Sequence, residues 1–121
     1  MPNVRSTPDV LSANRLAGDA VVNSAGEKLG KIEDFMLDAG SGRIRYAVLS
    51  FGGVLGIGNK LFAVPPEALA FDAANQCMTL DIDRERLEKA PGFDRDNWPD
   101  FADPTLASQI YGYYGLKQDW S

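Results

Sequence analysis

The chain has 121 residues, 45% hydrophobic and 24% charged, enough to bury the core of one domain and unlike the composition of a disordered polymer. Against 12 Lys and Arg stand 17 Asp and Glu, so the net charge of −5 repels a phosphate backbone on average, and no stretch gathers bases into a patch. Histidine is absent and Cys77 is the only cysteine, which excludes histidine-based triads, Cys–His pairs, thiolate and imidazole zinc centres, and intrachain disulfides.

Residues 1–10 carry two prolines and several polar side chains and read as a flexible N-terminal arm. They hold no signal-peptide core, and no apolar run approaches the ~20 residues that cross a bilayer. A cytoplasmic protein without membrane insertion is expected. "SANRL" predicts a helical turn at Ser12–Leu16, followed by a short strand around Asp19–Val22. "NSAGEK" (23–28) is turn chemistry.

The next strand, "LGKIEDFMLD" (29–38), loses its alternation near Asp34 and Phe35, which predicts a bulge or bend. After the turn "AGSG" (39–42), "RIRYAVLSF" (43–51) is the strongest strand signal in the chain. Ile44, Tyr46 and Val48 share one face, and Ala47, Leu49 and Phe51 share the other. A strand apolar on both faces must be covered twice, by a barrel interior and by something outside it.

"FGGVLGIGNKLFAVPPEAL" then raises the question of a phosphate-gripping loop. A dinucleotide fingerprint needs a third glycine where Leu61 stands, and a P-loop needs Gly-Lys-Ser/Thr where the chain has Asn59-Lys60-Leu61. Gly52, Gly53, Gly56, Gly58 and Pro65 are instead read as a barrel corner. "KLFAV" (60–64) is a strand, and Pro66 can open a helical turn. "AFD" and "CMTLDI" flank "AANQ" as a hairpin, with Cys77 expected beside Thr79 and Asp81 on the less apolar side. "DRERLEKAPG" (83–92) reads as a short helix with Asp83 as its N-cap and Pro91-Gly92 stopping it.

The acidic residues give little chemistry. Asp94, Asp96 and Asn97 are spaced somewhat like calcium ligands, but Pro99 occupies the position where the loop needs glycine, and no glutamate closes the set. Glu33, Asp34 and Asp38 read as solvated carboxylates near turns. Residues 93–121 differ in character, holding both tryptophans and three of the four tyrosines. Asp103-Pro104 predicts a helical turn with Leu106 and Ile110 on one side. The segment is too short to bury its own rings. Phe93, Trp98, Phe101, Leu106, Ile110, Tyr111, Tyr113 and Tyr114 are therefore expected to pack on the barrel or to form the interface of a homodimer.

The ordered set Gly18–Val21, Gly26–Asp34, Asp38 with Gly42-Arg43-Ile44, and Phe62–Pro65 resembles the PRC-barrel family over residues 11–92. The resemblance implies an all-β fold: a small six-stranded antiparallel barrel with a short C-terminal helix, followed here by the aromatic extension 93–121. It implies no catalytic residues, no cofactor and no metal. The function expected is a non-enzymatic protein-interaction or assembly module that self-associates and meets an unidentified protein partner; nucleic acid is not an expected partner. Family roles add two alternatives, an RNA-processing or ribosome-assembly accessory factor and a peripheral subunit of a photosynthetic-type membrane complex.

Overall fold

The computed structural model describes residues 12–51 and 60–117. The expected arm at 1–10 and the corner glycines Gly52, Gly53, Gly56 and Gly58 lie outside the described residues. The elements are α1 (Ala13–Leu16), β1 (Ala20–Val22), β2 (Lys28–Leu37), β3 (Ile44–Phe51), β4 (Lys60–Val64), a 3-10 turn (Pro66–Ala68), β5 (Leu69–Asp72), β6 (Cys77–Leu80), α2 (Arg84–Glu88), β7 (Gly92–Asp94) and α3 (Pro104–Tyr113).

Local chemistry fixes most boundaries. Asn23 ends β1 because its side-chain oxygen accepts from the amides of Ala25 and Glu27, while its amide group donates to Glu27 and to the carbonyl of Ile82. This buried polar residue thus shapes the first turn and ties it to the chain beyond β6. Asp38 closes the β2–β3 turn by accepting from the amide and hydroxyl of Ser41, and Gly42 supplies the positive φ of +77°. Asp72 does the same for the β5–β6 hairpin through Ala74 and Asn75.

The strands form one seven-stranded sheet in the order β5-β6-β1-β2-β3-β4-β7. This corrects the expected six antiparallel strands and the closed barrel. Strand β1 runs parallel to β6, with Val21 opposite Met78, so the sheet is mixed. Its two edges, β5 and β7, are not paired with each other. The missed strand, β7, pairs with β4 through Leu61 opposite Phe93; three residues are too few to show a period. The expected bulge is present as a register shift between Ile32 and Asp34, which leaves Glu33 without an opposing residue on β3.

Strand β3 is buried on both faces, as its pattern requires. Ala47, Leu49 and Phe51 enter the inner core with Leu29, Phe62 and Leu80, where the rings of Phe51 and Phe62 meet edge-on at 5.8 Å. Tyr46, fully buried, faces a second core outside the sheet. Cys77 departs from expectation: it is buried, and burial, followed by the nearby Asp72 and Asp19 carboxylates, pushes its thiol pKa up. A raised pKa keeps the thiol protonated and poorly nucleophilic.

Candidate interaction surface

The outer face of β3 and β4 presents Tyr46 and Ala63, and residues 93–116 cover both. Helix α3 makes this cover possible. Asp103 caps its start by accepting from the Thr105 amide at 2.9 Å, and Pro104 fills the first turn. Its end is a Schellman turn: Gly115 adopts φ +70°, its amide donates to Gly112, and the Leu116 amide donates to the Tyr111 carbonyl. This reversal brings Leu116 back onto the apolar cluster that holds Tyr111.

The candidate residues divide into three groups. Ile110 and Tyr111 are buried against the sheet, and the Tyr111 hydroxyl donates to the Arg45 carbonyl at 2.8 Å. Tyr46 lies 5.4 Å from Phe101 and 5.9 Å from Tyr111, ring centroid to ring centroid. Phe93, Phe101 and Leu106 are half-buried around them, while Trp98 stays 39% exposed with its ring 5.1 Å from Phe93 and 6.1 Å from Phe101. Tyr113 packs toward the inner core, and Tyr114 touches both cores. The Tyr113 ring stacks beside the Arg86 guanidinium at 5.2 Å, its hydroxyl donates to the Arg86 carbonyl, and Arg86 donates back to the Tyr113 carbonyl. The rings of the extension are thus packed largely against the extension's own sheet. Pro65 is buried at the end of β4, apart from this surface.

Two features were not singled out from the sequence. The first is an ion pair between the bulge residue Glu33 and Arg95, whose guanidinium donates through both terminal nitrogens to the carboxylate. The hydrogen bond from Arg95 holds the Glu33 pKa below its ordinary value, and the partners lie too far apart in sequence to leave a local signal. The second is an apolar groove of about 260 Å³ between the β7 edge and α3, lined chiefly by Pro91, Phe93, Pro99, Phe101, Leu106 and Ile110. The Trp98 indole is held beside it by donating to the Arg95 carbonyl at 2.7 Å.

The surface holds rings and prolines rather than a reacting constellation. Among the described residues, no three of His, Cys, Asp and Glu gather as a metal ion would require, and no helix is long and apolar enough to cross a membrane.

Comparison with known proteins gives a family. No curated protein matches the chain. Among solved structures, the chain is similar to a putative 16S ribosomal RNA processing protein, RimM, from Pseudomonas aeruginosa. The identity is 20% and the TM-score 0.42, over 70% of this chain and 50% of that one. The chain thus spans about half the length of that protein. The model of the PRC-barrel domain matches residues 8–87, which include β1 to β6 and most of α2. The chain belongs to the PRC-barrel family.

Proposed function

We propose that this PRC-barrel protein is a non-enzymatic interaction and assembly module that associates with a second copy of itself. The observation that carries the reading is the tip of the β2–β3 hairpin. Leu37 is 60% exposed, Ile44 is 38% exposed, and the two stand directly opposite each other in the ladder. Beside them runs an apolar groove of about 290 Å³ lined by Leu16, Phe35, Ile44, Pro66, Leu69 and Met78. Apolar side chains presented together next to an apolar groove favour a covered state. In a two-fold pairing each hairpin tip meets the same surface of its partner, so one patch serves both copies.

The non-enzymatic part of the reading draws support from the residue inventory. The sequence has no histidine, and its one thiol is buried with a raised pKa. The alternative of RNA processing or ribosome assembly has the net charge of −5 against direct RNA contact.

The test is the solution mass of the full chain by light scattering after size exclusion, compared with a Leu37→Glu, Ile44→Lys double variant. The expected result is a dimeric parent and a folded, monomeric variant. A parent that stays monomeric at high concentration overturns the self-association reading. Co-sedimentation of both proteins with ribosomes would support the assembly-factor alternative.

A further inference from the structure

We propose that the groove between β7 and α3, with Trp98 beside it, docks a basic, extended peptide segment carrying one aliphatic side chain. The inference rests on reading the chain as an interaction module, and it is independent of the hairpin interface. The groove supplies the apolar half of the recognition: its prolines and rings enclose about 260 Å³, room for one aliphatic side chain, and Trp98 remains 39% exposed at its side. Apart from Gln109 the walls are alanine, glycine, proline, aliphatic and aromatic side chains, so an apolar anchor is the group that gains most by entering.

The rim supplies the other half. Asp96 sits in the turn closed by the Asp94–Asn97 bridge, Asp100 stands between the groove residues Pro99 and Phe101, and Asp103 caps the helix that forms the far wall. All three are exposed. Two of the bases nearest in the fold are turned elsewhere. Arg95 is engaged by Glu33. Lys60 leans over Phe62, which is an inner-core ring, so it lies on the face of β4 opposite Ala63 and the groove.

An exposed indole on a segment that carries exposed carboxylates on both sides of it in sequence favours a cationic neighbour twice, through the ring face and through the charges. The same charges repel nucleic acid and anionic lipid surfaces. A Lys/Arg-rich peptide with a central leucine or valine is the partner that satisfies both halves of the site.

The probe is a peptide of about ten residues, Lys and Arg around a single leucine, titrated against full-length protein carrying Trp120→Phe so that Trp98 reports alone. The expected result is a saturable change in Trp98 fluorescence with a dissociation constant below about 1 mM. Affinity should fall roughly fivefold or more in the Asp96→Asn, Asp100→Asn double variant, which keeps the side-chain shapes, and again on raising salt from about 50 to about 300 mM. A leucine-to-glycine version of the peptide should bind several-fold more weakly. The proposal is overturned if no saturable change occurs, if the double variant binds as the parent does, or if the glycine peptide binds equally well, which would mean charge attraction without the groove. Light scattering on the same samples reads self-association separately, so failure of the groove and failure of the hairpin interface give different signatures.

Discussion

Tyr111 and Tyr114 leave the same stretch of α3 and bury their hydroxyls with opposite outcomes. The Tyr111 hydroxyl recovers a partner in the Arg45 carbonyl, whereas the Tyr114 hydroxyl is buried with none among the described residues. Desolvation without a hydrogen bond is a cost, so Tyr114→Phe should leave unfolding free energy unchanged or raise it by up to about 1 kcal/mol in a urea titration. The same burial raises the Tyr114 phenol pKa above its ordinary value. The unfolded chain therefore ionises first, and the contribution of the neutral phenol is whole below about pH 10 and is lost as pH rises through the raised folded value. The parent should lose stability above about pH 10 and Tyr114→Phe should lose less, with Tyr46, also raised by burial, retaining part of the alkaline loss. An alkaline limb of equal steepness in the variant would assign the loss to other groups. From sequence these two tyrosines were equivalent members of an aromatic tail; which one finds a carbonyl depends on where the helix meets β3.

Among the elements, the β2–β3 ladder carries two register shifts, and Gly30 is a point of close approach within it. A Cβ there would fall 2.0 Å from the Ser50 carbonyl oxygen, which is backbone and has no rotamer to yield. Gly30→Ala should therefore cost more than about 3 kcal/mol by denaturant midpoint. Gly26→Ala, in a turn with open space around it but a φ of +85°, should cost nearer 1 kcal/mol. Equal losses at the two sites would remove the close-approach account. These elements were the legible part of the fold. Short apolar runs marked β2, β3 and β4, with a broken alternation at the bulge of β2, and Asp, Asn and Gly marked the turns on either side of β2. The two-faced apolar pattern of β3 even announced an outer cover. The three-residue β7 and the pairing of β1 with β6 left no local trace, because both depend on contacts made across the chain rather than along it.

For the whole molecule, the extension after residue 92 acts as half of the second core rather than as an appendage. Tyr46 is fully buried and Ala63 nearly so because Ile110, Tyr111 and Phe101 lie over them. A chain ending at Gly92 loses that cover together with the β7 pairing of β4. It should show no cooperative thermal transition and should expose apolar surface to a dye such as ANS; a cooperative melt close to that of the full chain would show that the inner core suffices. The groove was legible only in its ingredients, since the proline and rings in "NWPDF" are visible in sequence while the wall supplied by α3 is not. The parallel seam between β1 and β6 also bears on how the protein is made. Both hairpins, β2–β3 and β5–β6, can form as soon as the ribosome releases them, but one side of β1 stays open until Met78 has emerged to meet Val21. Until that seam closes, the nascent chain offers a bare strand edge to its neighbours on the same message, a route to mispairing that the finished sheet removes at β1.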